Sequence, residues 1–144
     1  MRKIFLAVLI CTLLLTTVLA VKPAVLPASD VRHLYLYEKT PADWSIVDGG
    51  AWGKMMYSSN FVFNGHGLVA GTGYTLVRYK GTIWPTVECL TSGTSNNGGN
   101  INLAGGIGSY GDKVWLVLSS DVDCNIGAMT AWNPTEYLFE NNLF

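Results

Sequence analysis

The sequence predicts an all-β protein: an antiparallel β-sandwich that follows an N-terminal signal helix. After residue 32, short segments rich in β-branched and aromatic residues alternate with turns of Gly, Asn, Asp and Pro. The turn signals return roughly every 8–12 residues, which is the strand spacing of a two-sheet sandwich. No segment beyond the leader predicts a helix, because the runs without Gly or Pro are β-branched or aromatic.

Residues 1–20 have the layout of a secretory signal peptide. Arg2 and Lys3 precede an uncharged apolar run, and Val18 and Ala20 occupy the −3 and −1 positions of a cleavage site. Cleavage would make the protein secreted or displayed at the cell surface. The alternative is a retained anchor, because the run is just long enough to span a bilayer, and the chain would then meet the membrane only through this segment.

The rest of the chain divides into a short lead-in and one domain. Residues 21–32 contain Pro23 and Pro27 without periodicity and predict an extended tether. Residues 33–144 have the length of a single β-sandwich domain with its own core. Without the leader, seven basic residues stand against ten acidic ones, a net charge of −3. That balance leaves no basic patch for nucleic acid.

Nine segments are predicted as strands. They are residues 33–38, 44–47, 51–57, 59–64, 73–80, 86–90, 99–105, 113–119 and 136–140. Segment 113–119 is apolar at every position from Val114 to Leu118, so it is predicted to lie centrally with both faces covered. Segments 59–64 and 99–105 alternate apolar and polar residues, which predicts one wet face for each. Gly49-Gly50 and Asn96 to Gly99 predict tight turns.

Two cysteines, Cys89 and Cys124, remain once the leader is removed. An even number of cysteines in an exported chain predicts one disulfide between them. Closing a loop of about 36 residues would stabilise the fold by roughly 4 kcal/mol on the loop-entropy account. The alternative is a pair of free thiols.

The stretch "SSDVDCNIGAM" has the alternating oxygen ligands of a calcium loop. Asp121, Asp123 and Asn125 supply hard oxygens, and calcium is the one cofactor that the sequence suggests. An EF-hand is excluded because Ile126 and Trp132 stand where it needs glycine and glutamate. One interpretation is a looser calcium site, and the other is a turn capped by Asx side chains after the central strand.

Enzymatic motifs are missing from the sequence. There is no nucleophile elbow, phosphate-binding loop or zinc-protease motif, and His33 and His66 stand far apart without a third metal ligand. Nothing predicts catalytic residues, so we expect a protein that is not an enzyme.

Aromatic residues are the remaining functional signal. Trp84 precedes Pro85 and Trp132 precedes Asn133-Pro134, and both fall in predicted loops, where an indole could stack on a sugar ring or anchor a protein partner. The alternative is that both rings plug the ends of the sandwich, since most tryptophans are largely buried.

Two resemblances add to these patterns. In "GHGLVAGTGYTL", Gly67 and Leu68 precede Tyr74 in a way that resembles the corner of fibronectin-type and other immunoglobulin-like domains. This resemblance implies that the antiparallel β-sandwich is immunoglobulin-like. The segments "DWSIVDGGAWGKMMY", "FVFNGHGL", "YTLVRY", "VWLVLSSDVDC" and "MTAWNPTEYLFE" resemble small secreted proteins of uncharacterised function from methane-producing archaea. That resemblance implies secretion and no particular activity.

Together these signals predict an exported or cell-surface β-sandwich that works by binding or by surface assembly. The expected partner is a surface protein or a polysaccharide, with no nucleic acid involved. The alternative function is a calcium-assisted carbohydrate-binding module that uses Trp84, Trp132 and the Asp121 loop.

Overall fold

The computed structural model describes residues 31–79, 84–108 and 113–141. The predicted signal segment and most of the tether lie outside the described residues. The strands within the described ranges are β1 Arg32–Tyr37, β2 Trp52–Tyr57, β3 Asn60–His66, β4 Gly73–Tyr79, β5 Glu88–Thr94, β6 Ile101–Gly106, β7 Lys113–Leu118, β8 Val122–Asp123, β9 Ala128–Met129 and β10 Leu138–Glu140. Short 3-10 helices lie at Ser119–Asp121 and Pro134–Glu136.

Eight of these strands form one antiparallel sheet in the order β5-β4-β7-β10-β1-β2-β3-β6, and β8 pairs separately with β9. The two ends of the large sheet approach each other. A Cβ atom added to Gly93 of β5 would lie 2.8 Å from Cδ2 of Leu103 in β6. The sheet therefore closes on itself as a β-sandwich or barrel does, and the prediction of an all-β antiparallel fold is confirmed.

The inner face of the sheet encloses the larger core. Phe61 and Phe63 of β3 are buried there, while Val62 between them is exposed, so the predicted alternation of this strand is confirmed. Strand β6 alternates in the same way, with Ile101 and Leu103 buried. The buried members of this core are Leu34, Leu36, Met55, Tyr57, Phe61, Phe63, Leu68, Tyr74, Leu76, Ile101, Leu103, Ile107, Val114, Leu116 and Leu138.

A second core covers the outer face of β4, β7 and β10. Val114 of β7 points to the inner core, whereas Trp115 and Val117 belong to the outer one, so the prediction of a central strand covered on both faces is confirmed. The cover is not another large sheet. It consists of the irregular chain from 119 to 137 and the segment 84–87.

The disulfide between Cys89 and Cys124 is present, with a Cα–Cα distance of 5.6 Å. It joins edge strand β5 to the turn between β8 and β9. Hydrogen bonds from Val87 N to Gly127 O and from Met129 N to Pro85 O, both 2.9 Å, hold the same two segments together. The second core is therefore closed by one disulfide and by the two backbone hydrogen bonds beside it.

One expectation about local structure was wrong, and two short strands were not predicted. The predicted strand at residues 44–47 is reduced to a single bridge between Ile46 and Lys39, because side-chain hydrogen bonds of Asp43 turn the chain here. The sequence also did not predict β8 and β9, which are two residues long each. The turn before β6 is as expected, since Gly99 has a left-handed φ of 71° and Asn96 N donates to Asn100 O at 2.8 Å.

Candidate functional site

Asp121 is the polar centre of the chain that covers the outer core. Its buried carboxylate accepts hydrogen bonds from the Tyr137 hydroxyl, from Asn133 Nδ2 at 2.8 Å and from Ser120 Oγ at 2.9 Å. Burial acts to raise the pKa of this carboxyl, but the three hydrogen bonds outweigh burial and leave the pKa lowered. The charged carboxylate thus fastens the two ends of the covering chain together.

Asp123 and Asn125 have a different role in the same stretch. Asp123 Oδ1 accepts the backbone N–H groups of Asn125 at 2.8 Å and Ile126 at 3.4 Å, which makes an Asx turn. Within residues 31–79, 84–108 and 113–141, no three His, Cys, Asp or Glu side chains form a group that could hold a metal. The calcium site therefore stays a prediction, and the hydrogen bonds favour the turn interpretation.

Replacing Asp121 by Ala should lower the free energy of unfolding by about 2 kcal/mol, because the hydroxyl of Tyr137 and the amide of Asn133 lose a buried acceptor. Urea denaturation measures the loss. Asp123→Ala is the control and should cost less than half as much, since its turn is exposed.

Repeating the wild-type urea denaturation in millimolar calcium tests whether the folded protein binds calcium. A bound ion would raise the free energy of unfolding.

Three indoles meet on the outer surface of the covering layer, and we call Trp44, Trp132 and Trp84 the tryptophan row. The ring centroids of Trp44 and Trp132 are 6.4 Å apart, and those of Trp132 and Trp84 are 5.2 Å apart. Their exposed fractions are 47%, 41% and 49% respectively. The structure thus brings together the two tryptophans that the sequence singled out and adds Trp44 to them.

The tryptophan row rests on buried rings of the outer core. Trp132 packs against Trp115 and Phe139, with both centroid distances at 6.0 Å, and against Tyr137 at 5.5 Å. Trp115 and Phe139 are direct neighbours on β7 and β10, and Tyr79 stacks on Trp115 at 4.9 Å. The central indole is therefore held in place by a floor that the sheet register fixes.

Trp44 is held by a strained turn. It has a φ of 60°, and no other non-glycine residue in the described ranges has a left-handed backbone. Its N–H donates to Thr40 O at 2.9 Å. The Asp43 carboxylate accepts hydrogen bonds from the Thr40 hydroxyl and from both donors of Ser45, and these bonds lower the pKa of Asp43 to about 2.

The other two indoles are positioned by the backbone bonds of the covering layer. Trp84 precedes Pro85, whose carbonyl accepts the N–H of Met129. Trp132 lies directly before Asn133, whose N–H donates to the Tyr137 hydroxyl at 3.0 Å. Hydrogen bonds of the residue that follows each indole thus hold Trp84 and Trp132 in the covering layer.

Two adjacent hollows open along the tryptophan row. The first hollow, of about 360 Å³, is lined by Lys39, Trp44, Lys113, Trp115, Trp132, Phe139 and Glu140. The second hollow, of about 490 Å³, is lined by Tyr79, Trp84, Lys113, Trp115 and Trp132. Both volumes fall in the usual range of small-molecule sites. Because Lys113, Trp115 and Trp132 line both, the hollows are two parts of one aromatic surface.

Glu140 brings a carboxyl group to the first hollow. Its residue is 9% exposed, and its Oε2 atom is buried without a hydrogen-bond partner in the described part of the chain. Burial raises the pKa of Glu140 to about 7, against the opposing effects of its own backbone N–H, of Lys113 and Lys39, and of Trp115. Lys39 Nζ also donates to the Glu140 carbonyl at 2.8 Å.

The fold and this surface define a class: a disulfide-linked all-β domain with exposed tryptophans beside two lysines and a buried carboxyl. No protein-family model, curated protein or solved structure matches the chain. In the described residues, no helix is long and apolar enough to cross a membrane.

Proposed function

We propose that this protein is an exported, non-enzymatic domain that binds a carbohydrate on the tryptophan row. The observation that carries the proposal is the contact of three half-exposed indoles over a rigid aromatic floor. The C–H faces of a pyranose ring are apolar, and its hydroxyl groups lie at the edge. An indole can therefore cover the face of a sugar while the hydroxyls stay in water.

The exposure of these rings argues against the plug interpretation. Trp115, which does fill the core, is only 8% exposed, whereas each member of the tryptophan row leaves more than two fifths of its surface open. A contiguous apolar surface of this kind is costly in water and marks an interaction site. The left-handed backbone of Trp44 adds to this, since such strain is kept mainly at functional sites.

Export is supported by two independent features. The N-terminal sequence has the layout of a signal peptide. The disulfide fits an oxidising compartment such as the cell surface or the extracellular medium. An immunoglobulin-like type of sandwich is supported by Tyr74, whose hydroxyl accepts the N–H of Val69 at 3.3 Å, as at a tyrosine corner.

The alternatives have less support. Glycoside hydrolysis uses a pair of carboxyl groups, and among the described residues that line the two hollows Glu140 alone carries one. Assembly by strand addition needs an open sheet edge, whereas the Cys89–Cys124 disulfide ties edge strand β5 to the covering chain. Calcium-assisted binding would need the Asp121 carboxylate, which already accepts three hydrogen bonds from the protein.

Substitutions in the tryptophan row should weaken sugar binding about tenfold each, because each removes one stacking surface. We expect this for Trp84→Ala and for Trp44→Gly, which deletes the ring and relieves the left-handed backbone. Trp52→Ala is the matched control, because Trp52 is 40% exposed but contacts His66 away from the row. Affinity electrophoresis in gels containing xylan, galactomannan, β-glucan, dextran or polygalacturonate measures the binding.

Retardation of the wild-type protein by at least one of these polymers, lost in the two row variants and kept in Trp52→Ala, supports the proposal. Unchanged mobility in every gel would overturn it. Circular dichroism of each variant separates lost binding from lost folding.

A further inference from the structure

The charges around the first hollow are unbalanced, and they bear on which sugar the proposed carbohydrate site takes. Lys39 and Lys113 line the hollow together with the carboxyl of Glu140. Lys39 uses one of its three protons on the Glu140 carbonyl, which leaves the others available to a ligand. Because the Glu140 pKa is about 7, its charge does not cancel those of the two lysines at neutral pH.

A net positive aromatic hollow selects against cations and for anions. Aromatic cages often hold organic cations, but two ammonium groups beside the rings would repel such a ligand. An anionic group is attracted, and desolvation by the surrounding indoles strengthens its pairing with lysine. A ligand that suits both the rings and the lysines has an apolar face and a negative edge.

We propose that the first hollow binds a carboxylated sugar residue of the glycan, with its ring against Trp132 and its carboxylate facing Lys39 and Lys113. This inference rests on the proposed function and names its ligand class. The second hollow, which ends at Trp84, then holds the neighbouring residue of the same chain.

Glu140 sets the pH range in which this binding is strongest. The charged groups that act on its carboxyl are Lys113 on β7 and Lys39 after β1. Below pH 7 the neutral carboxyl leaves the two lysine charges unopposed, and above pH 7 its charge repels the ligand carboxylate. Affinity for an acidic sugar should therefore fall from pH 6 to pH 8, and Glu140→Gln should abolish that fall.

The test compares polygalacturonate with its methyl ester, which keeps the sugar backbone and removes the charge. Affinity electrophoresis at about 0.15 M salt, where loose surface attraction is screened, should show retardation by polygalacturonate and much less by the ester. Lys113→Met should weaken binding to polygalacturonate about tenfold. Lys54→Met is the control, because Lys54 lies over the Tyr35 ring and lines neither hollow.

The outcomes distinguish the proposal of carbohydrate binding from the proposal of a preference for carboxylated sugars. Equal retardation by polygalacturonate and its ester would leave carbohydrate binding standing and overturn the preference for a carboxylated sugar. Equally strong retardation by dextran sulfate would also overturn it, because the attraction would then be that of any polyanion. Retardation by no polymer at all would overturn the carbohydrate function itself.

Discussion

Replacing Cys89 and Cys124 together by Ser is expected to lower the free energy of unfolding by about 4 kcal/mol. The disulfide spans a sequence separation of 35 residues and restricts the unfolded chain accordingly. In the folded protein it also holds edge strand β5 against the turn between β8 and β9. Urea denaturation of the oxidised wild type and the double variant measures the difference.

Reduction of the wild-type protein should reproduce this loss, and Cys11→Ser in the predicted signal segment should leave the stability unchanged. A difference below 1 kcal/mol between the oxidised wild type and the double variant would contradict the expectation. We also expect weaker sugar binding in the double variant, because the linked segments carry Trp84 and adjoin Trp132.

Raising the pH from 5 to 8 is expected to lower the free energy of unfolding by up to about 3 kcal/mol through Glu140. Its pKa is about 7 in the folded protein and 4.5 in an unperturbed chain. The folded state therefore holds this proton more tightly than the unfolded state does. The resulting stability is complete below pH 4.5, decreases as the pH rises to 7 and changes little above that.

Glu140→Gln should flatten this pH dependence and make the variant more stable than the wild type at pH 8. Glu136→Gln, which changes an exposed carboxyl on the preceding 3-10 helix, is the control. Denaturation at half-unit intervals of pH separates the two. The lowered pKa values of Asp43 and Asp121 reduce stability only on acidification towards pH 4 and below, so they do not mask the effect. A wild type of constant stability between pH 5 and 8 would contradict the assignment.

The same side chains affect both stability and binding, because the groups that destabilise the folded protein also line the first hollow. A buried carboxyl whose Oε2 has no hydrogen-bond partner among the described residues and a tryptophan in a left-handed conformation are both unfavourable in isolation. Sites that bind ligands commonly carry such costs, which the rest of the fold has to offset. Glu140→Gln should therefore raise stability and preserve binding at pH 8, whereas Trp44→Gly should relieve the left-handed backbone and weaken binding.

The sequence predicted those parts of the fold that depend on short-range patterns. The apolar run from Val114 to Leu118 identified a strand covered on both faces, and alternation in β3 and β6 identified their buried sides. The even count of cysteines identified the Cys89–Cys124 disulfide, which the structure confirms. The predicted strand at 44–47 failed because the hydrogen bonds of Asp43 override its β-branched and aromatic composition.

The candidate site was only partly predictable, because its members come from distant parts of the chain. Trp84 and Trp132 were recognisable since each lies in a predicted loop, Trp84 before Pro85 and Trp132 before Asn133-Pro134. Trp44 was assigned to a strand, and nothing in its neighbourhood marked it as exposed. Glu140 looked like the polar end of a strand, and its raised pKa comes from burial that only the folded chain produces.

The sequence by itself determined the class of fold and the disulfide, since composition, periodicity and cysteine count are local or additive properties of the chain. The tertiary structure alone decided that three tryptophans share one surface and that Lys39, Lys113 and Glu140 line the same hollow. The reason is the sheet order: β7, β10 and β1 are neighbours in space although long segments separate them in sequence. Strand pairing over such distances depends on the whole core, and no local pattern encodes it.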